Sequence, residues 1–145
     1  MPKLTIELPS NNKINKAGKF LRDLDQVPYP KRDHARAIEA RATVQAFRDA
    51  HGYPMLLVRQ GLVNFVNTER AYGVVGQRHK RVPRIIRKLR RMRDGTSGGT
   101  GLARLEDIGG CRVVLETPAD LELVSKRIRM RWSGQFTRDP PRLHS

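Results

Sequence analysis

Apolar residues recur at helical spacing through the first half of the chain. In three successive segments they lie three and four positions apart, as on the buried side of an amphipathic helix. Each segment also begins with a residue typical of a helix start, namely Ser10, Asp33 and Pro54. We therefore predict helices over about 12–23 and 34–50, and a third helix with Pro54 in its first turn. Their expected buried positions are Ile14, Ala17 and Leu21, then Ala37, Ala40, Val44 and Phe47, then Val58, Leu62, Phe65 and Tyr72.

The following segment combines a helical apolar pattern with many basic residues. Pro83 suits the first turn of a fourth helix over about 82–93. Residues 94–101 then contain four glycines and no apolar side chain, which predicts a flexible loop. The apolar positions of this fourth helix are Ile85, Ile86, Leu89 and Met92.

Strand patterns are short. Residues 111–115 predict an apolar strand interrupted by Arg112, whose side chain points away from those of its two neighbours. A charge buried in such a strand needs a partner. Residues 4–8 alternate and predict a second strand, whereas a capped helix is expected over about 117–130. The expected fold class is α/β of the mixed (α+β) kind, with N-terminal helices and an incomplete mixed sheet.

The composition narrows the class of protein. At 145 residues the chain is long enough for one domain, and no apolar run reaches the ~20 residues of a membrane span. A single cysteine excludes an internal disulfide framework and a cysteine-rich zinc site. Lys and Arg total 29 against 14 Asp and Glu, which gives a formal net charge of +15. We expect a soluble, cytoplasmic protein with no membrane partner, whose ligands are polyanions.

Much of the positive charge lies between residues 78 and 93. This segment has nine basic residues and no carboxylate. On one helix such charges repel each other by about 0.2–0.5 kcal/mol per pair. An anion bound to that surface would relieve the repulsion, and a solvated basic face is the alternative interpretation. The nine residues are Arg78, Lys80, Arg81, Arg84, Arg87, Lys88, Arg90, Arg91 and Arg93.

Two stretches of the second half match a known pair of motifs. They are RHKRVPRIIRKL at 78–89 and EDIGGCRVV at 106–114. In order and spacing they resemble the ATP-site motifs of the RelA/SpoT alarmone synthetase family, R-x-K-x-x-x-S-I-x-x-K-L followed by D-I-A-G-I-R-V-V. Arg84 stands here for the family serine, Gly109 for the alanine and Cys111 for the isoleucine. The first residues of the chain, from Ser10 to Gly18, are similar to the start of small single-domain members, toxin-type ones included.

The resemblance implies a nucleotidyltransferase-like synthetase fold and an activity of the stringent response. The activity is transfer of pyrophosphate from ATP to the ribose 3′-hydroxyl of GDP or GTP, which gives (p)ppGpp. Such transfer requires the triphosphate charge to be neutralised and the reacting oxygens to be held in line. The resemblance places Arg78 and Arg112 on the two faces of adenine, and Lys80 and Lys88 at the phosphates. The implied ATP-binding residues are Arg78, Lys80, Arg84, Lys88 and Arg112, and Asp107 is the implied catalytic residue and Mg²⁺ ligand.

A later part of the family's domain has only a faint counterpart here. In the family a tyrosine-containing segment stacks the acceptor nucleotide, and a later glutamate completes the metal and base chemistry. Residues 140–145 resemble that segment too faintly to count as a match. We therefore expect a single RelA/SpoT-like domain over 1–145 that is truncated at its C-terminal end and turns over slowly or not at all. Its expected parts are a helical region over 1–76, an ATP-binding region over 77–131 and a polar tail over 132–145.

Two alternatives stay open. The net charge and the toxin-like first residues fit an enzyme that pyrophosphorylates the 3′ end of tRNA, with an antitoxin or a second copy of the chain as partner. A non-catalytic basic module that binds RNA or DNA through phosphates accounts for the charge as well. In that case Asp107 only caps a turn before the strand, and the basic residues of 78–93 form a general phosphate-binding face.

Overall fold

A computed structural model describes residues 7–95 and 99–133, which form a mixed α/β fold. The expected fold class is therefore confirmed. Short 3₁₀ turns at Leu24–Gln26, Tyr29–Lys31 and Leu102–Arg104 connect the main elements. In chain order these elements are α1 (Asn11–Asp23), α2 (His34–Asp49), α3 (Gly52–Thr68), β1 (Gly73–His79), α4 (Val82–Asp94), β2 (Gly109–Leu115) and α5 (Pro118–Trp132).

The expected helix starts are confirmed where a side chain was predicted to cap the first turn. The Ser10 hydroxyl accepts a hydrogen bond from the backbone N–H of Lys13 at 3.2 Å, and the Asp33 carboxylate accepts one from Arg36 at 2.9 Å. Thr117 does the same at the start of α5. Each cap satisfies an N–H group that the helix itself leaves without a partner.

Three predicted segments lie partly outside the described residues. These are 4–6 of the expected first strand, 96–98 of the expected loop and 134–145 of the expected tail. Glu7 and Leu8, which are described, are not part of a strand. Among the described residues, no helix is both long and apolar enough to cross a membrane.

The partner of β2 is β1, a strand that the sequence did not predict. The two strands pair side by side in one sheet. Backbone hydrogen bonds at the two ends fix an antiparallel register: the N–H of Glu116 donates to the carbonyl of Tyr72 at 3.0 Å, and the N–H of Lys80 donates to that of Ile108 at 2.8 Å. In this register Gly76 lies opposite Arg112.

The chain divides into two compact units, each built from two stretches. Among the described residues, the first unit comprises 7–54, 79–95 and 99–110, and the second comprises 55–78 and 111–133. The boundaries fall within α3 and within both strands.

In the first unit, α1 packs against α2, α4 and the Leu102–Arg104 turn. Gly18 allows the approach to that turn, since a Cβ atom at this position would lie 2.8 Å from the Cβ of Leu102. The buried positions predicted for α1, α2 and α4 are confirmed, with Met92 only partly buried. The core residues are Ile14, Ala17, Leu21, Leu24, Ala37, Ala40, Val44, Phe47, Ile85, Ile86, Leu89, Leu102, Leu105 and Ile108.

In the second unit, α3 and α5 contribute the buried residues. Glu69 after α3 pairs with Arg127 of α5, and the rings of Phe65 and Trp132 lie 5.0 Å apart. The predicted buried stripe of α3 is partly wrong, because Tyr72 lies beyond the helix end and is 71% exposed. Val58 is exposed as well. The buried residues of the two helices are Met55, Leu62 and Val66 on α3, and Val124 and Ser125 on α5.

Candidate nucleotide-binding site

Arg78 and Arg112 lie on the same exposed face of the two-stranded sheet. In β2 exposed and half-buried residues alternate, and Arg112 is one of the exposed ones. Gly76 lies opposite Arg112, so its position faces the same side of the sheet. Arg78 is two residues further along β1 and therefore shares that face, where it is exposed too. The two arginines are diagonal neighbours across the strands.

This face is open beside the two arginines. Gly76 has no side chain, and a Cβ atom built there would meet no other atom within 4 Å. The next opposed pair on the face is Val74 and Val114, which are 71% and 56% exposed. The face thus offers two guanidinium groups beside a small apolar surface. We call it the arginine face.

The expectation that Arg112 is a buried charge is wrong. The residue stands in an apolar strand, but the strand has one open side, and Arg112 points to it. Cys111 and Val113 point to the other side and are half-buried, as predicted. The Cys111 thiol donates to the carbonyl of Met55 at 3.5 Å, and burial raises the pKa of this thiol above its ordinary value. It is therefore a packed strand residue and not an activated nucleophile.

In the first unit, Asp107 bridges two lysines. Its Oδ2 atom accepts a hydrogen bond from Lys80 Nζ at 2.5 Å, and its Oδ1 atom lies 2.5 Å from Lys88 Nζ. The two lysine side chains are mostly buried, at 14% and 24% exposed, whereas the carboxylate is 51% exposed. We call these three residues the lysine–aspartate cluster.

The electrostatics of this cluster favour the ionised carboxylate. Burial alone would raise the pKa of Asp107, but the hydrogen bonds from Lys80 and Lys88 outweigh it and lower the pKa to about 2. Because the pKa lies below its ordinary value, the cluster's contribution to stability is present at neutral pH. It is lost as the pH falls through about 2, where Asp107 takes up a proton.

Several backbone contacts hold this cluster in place. The Arg48 guanidinium at the end of α2 donates to the carbonyl of Lys80 at 2.8 Å. His79 Nε2 lies 2.6 Å from the carbonyl of Arg48, so this nitrogen carries a proton and donates it. Asp107 is anchored by its buried neighbour Ile108, whose carbonyl accepts from the N–H of Lys80. These contacts fix the backbone that carries Lys80 and Asp107.

Three of the six basic residues of α4 are paired with carboxylates that lie outside residues 78–93. Arg93 forms hydrogen bonds to Asp25 and Asp94, and Arg90 lies 3.5 Å from Asp25. The hydrogen bond from Arg93 holds the pKa of Asp25 below its ordinary value. Lys88 is paired with Asp107. The sequence showed no carboxylate within 78–93, and the partners come from the 3₁₀ turn that follows α1 and from both sides of the loop.

Three arginines of α4 keep exposed side chains. Arg84, Arg87 and Arg91 lie three and four residues apart, on the side of the helix opposite Ile85 and Leu89. Within the described part of the chain, no hydrogen bond or ion pair engages their guanidinium groups. We call these three residues the arginine stripe.

The six residues singled out in the sequence therefore fall into three groups. Arg78 and Arg112 share the arginine face, and the lysine–aspartate cluster brings Lys80, Lys88 and Asp107 into direct contact. Arg84 stands four residues before Lys88 on α4 and belongs to the arginine stripe.

Sequence reasoning missed Gly76, Arg48 and His79. The role of Gly76 can be recognised only once β1 is seen to pair with β2. In the sequence alone, an isolated glycine indicates a chain break as readily as an open position in a strand. Arg48 and His79 are 31 residues apart in the chain, and no local pattern indicates their contact.

The fit of Mg²⁺ depends on Asp107. In the part of the chain that is described, no group of three or more His, Cys, Asp or Glu side chains is arranged to hold a metal ion. A single carboxylate is sufficient where nucleotide phosphates supply further oxygen ligands. Both oxygens of Asp107 contact ammonium groups. Asp107 therefore fits Mg²⁺ only together with a polyphosphate that replaces it as the partner of the two lysines.

The chain was compared with protein-family models and with curated proteins. No protein-family model matches the chain, and no curated protein is significantly similar to it.

Proposed function

We propose that the chain is the ATP-binding part of a RelA/SpoT-type (p)ppGpp synthetase with a nucleotidyltransferase-like fold, acting in the cytoplasm. The observation that supports this proposal is the placement of Arg78 and Arg112 on one exposed face, with a glycine opposite Arg112. The motifs at 78–89 and 106–114 supply the second line of support.

The spacing of the arginine face suits a purine. Diagonal neighbours across an antiparallel pair are about 7–8 Å apart. A planar ring between two guanidinium groups needs about 7 Å, which is twice the contact distance of about 3.5 Å between stacked atoms. Guanidinium planes stack well on aromatic rings. Arg78 and Arg112 thus hold adenine from its two faces.

Lys80 and Lys88 are the proposed binding residues for the phosphates. Arg78 is two residues before Lys80 in the chain, and Lys80 and Lys88 provide compact ammonium groups for phosphate oxygens. Mg²⁺, held by the phosphates and Asp107, would neutralise charge on the transferred group. The ribose 3′-hydroxyl oxygen of GDP or GTP forms a bond to the β-phosphorus of ATP and its proton passes to solvent water. The bond from that phosphorus to the oxygen bridging the α- and β-phosphates breaks, and AMP leaves with that oxygen.

A Gly76→Val variant tests the adenine role without removing a charge. A Cβ atom at Gly76 has open space, and valine suits a strand, so we expect the fold to be kept. The added methyl groups occupy the face between the arginines, and ATP affinity should fall by about tenfold, as expected for the loss of one ring stack. Calorimetric titration with ATP and with inorganic tripolyphosphate measures this, because tripolyphosphate has no ring and should bind both proteins equally. Unchanged ATP affinity in a folded variant would rule out adenine binding at this face.

The arginine stripe favours a second candidate function, nucleic-acid binding. Arg84 to Arg91 spans about 10 Å along the helix at 1.5 Å per residue, which matches about three phosphates at 3.4 Å each along one strand. This surface would serve an enzyme whose acceptor is the 3′ end of tRNA, or a non-catalytic basic module.

Charge reversal separates this candidate from a synthetase acting on GDP or GTP. The double variant Arg87→Glu and Arg91→Glu should lose most affinity for deacylated tRNA, and the affinity of the unaltered chain should fall about tenfold over a fourfold rise in salt. Asp107→Asn serves as the control and should not weaken tRNA binding, because it removes no positive charge. Filter binding at two salt concentrations measures both effects. Equal tRNA affinity of the unaltered and charge-reversed chains would exclude the stripe as an RNA surface.

A further inference from the structure

The lysine–aspartate cluster places an anion where two cations converge. Each oxygen of the Asp107 carboxylate contacts one ammonium group, at 2.5 Å in both cases. The two ammonium groups thus converge on one small anionic group. Two oxygens of a phosphate can make the same pair of contacts, because a phosphate also presents oxygens in a compact, negatively charged group.

We propose that Asp107 is an internal stand-in for a phosphate group, which keeps Lys80 and Lys88 converged in the empty protein and is displaced when a polyphosphate binds. The proposal rests on the proposed function in one respect, namely that these two lysines bind phosphate. It adds a role for Asp107 that does not depend on a metal ion: the carboxylate competes with the ligand.

The exposures of the three side chains support a displacement of Asp107 and not of the lysines. The carboxylate is 51% exposed, so water can solvate it as soon as it leaves. The lysine side chains are 14% and 24% exposed and have less freedom to move. The neighbours of Asp107 in the core, Leu105 and Ile108, are buried. Rotation of one side chain is therefore enough to open the site, with the backbone left in place.

This competition makes the site selective for highly charged ligands. The cluster has a net charge of +1, and a ligand must replace the attraction that the carboxylate already provides. A monophosphate has little more negative charge than the Asp107 carboxylate that it would displace. A triphosphate offers several negative charges to the same two ammonium groups. We therefore expect tripolyphosphate to bind much more tightly than monophosphate, and the difference to shrink when Asp107 is neutralised.

The test is metal-free binding of inorganic tripolyphosphate to the unaltered chain and to Asp107→Asn. In the presence of a chelator, Asp107→Asn should bind about tenfold more tightly, since the internal competitor is gone. The matched control is Glu106→Gln, which changes the net charge equally at the adjacent exposed residue. In the part of the chain described, Glu106 forms no hydrogen bond or ion pair with either lysine, so this control should change affinity by less than about twofold.

Each result decides between the possible roles. Tightening in Asp107→Asn alone supports the proposal. Equal tightening in both variants would mean that only net charge matters, and no change in Asp107→Asn would mean that Asp107 does not compete; either result overturns the proposal and leaves the proposed function intact. If none of the three proteins binds tripolyphosphate, then the phosphate role of Lys80 and Lys88 fails too, and the proposed function fails with it.

A second measurement needs no variant. In the unaltered chain, the ¹³C signal of the Asp107 carboxylate should move on addition of tripolyphosphate, because its two ammonium partners are replaced by water. The signal of Asp120, which lies on α5, should stay in place. A stationary Asp107 signal at saturating tripolyphosphate would contradict the displacement.

Discussion

Replacing both Arg78 and Arg112 by alanine should lower the affinity for ATP by about a hundredfold, and each single replacement by about tenfold. Under the proposed function, each guanidinium stacks on one face of adenine, so each replacement removes one of the two stacks. Both arginines are exposed, so their removal should leave the fold intact. Calorimetric titration with ATP at fixed salt concentration measures the three affinities.

The matched control removes two positive charges from the same unit at another place. Lys126 and Arg129 are exposed residues of α5, and the double replacement Lys126→Ala and Arg129→Ala should change ATP affinity by less than about threefold. If this control weakens ATP binding as much as the Arg78 and Arg112 variant does, then the loss reflects net charge, and the arginine face is not an adenine site.

An Ile85→Ala variant should lose about 2–5 kcal/mol of unfolding free energy, which is a large part of the stability of a small domain. Ile85 is 0% exposed and belongs to the core that joins α4 to α1 and α2. Truncation removes apolar contacts and leaves a cavity under the helix that carries Lys88 and the arginine stripe. Urea denaturation followed by circular dichroism measures the loss.

Ile38 provides the matched control for this prediction. It is the same residue type on α2, but it is 68% exposed, so Ile38→Ala should change stability by no more than about 0.5 kcal/mol. A loss of similar size in both variants would mean that Ile85 does not anchor α4 in the core.

The helices of the first unit were predictable because their signals are local. Ser10 and Asp33 are caps within one turn of the residues that they satisfy, and the apolar positions of α1, α2 and α4 repeat with the helical period. The bounds of these helices agree with the prediction to within one residue. On α3 the same reasoning failed at Tyr72, because the apolar pattern continues past the point where the chain turns into β1.

The strand β1 was missed because its stability comes from pairing. In the sequence, Gly73 and Gly76 indicate interruptions of regular structure within the segment 73–79. Glycine is required at position 73 because β2 lies very close to the backbone there. A Cβ atom at this position would lie 2.5 Å from the carbonyl oxygen of Val114. The glycine at 76 leaves the arginine face open. Neither reason is visible until β2 lies beside the segment.

The sequence predicted which residues belong to the candidate site, but not which of them contact each other. The motifs singled out Lys80 and Asp107, which are 27 residues apart and in contact. They gave no indication that the carboxylate would bridge two lysines. The charge count likewise overstated the repulsion on α4, because Asp23 and Asp25 reach Arg93 across about 70 residues of sequence. Contacts of this range depend on packing, which one sequence does not specify.

The most direct measurement of the central claim is the nuclear Overhauser effect between bound ATP and the arginine side chains. The H2 and H8 protons of adenine should show contacts to the side-chain protons of both Arg78 and Arg112, because the ring lies between them. Contacts to both arginines are the predicted result. Adenine protons that contact neither arginine, in a sample where ATP is bound, would contradict the account.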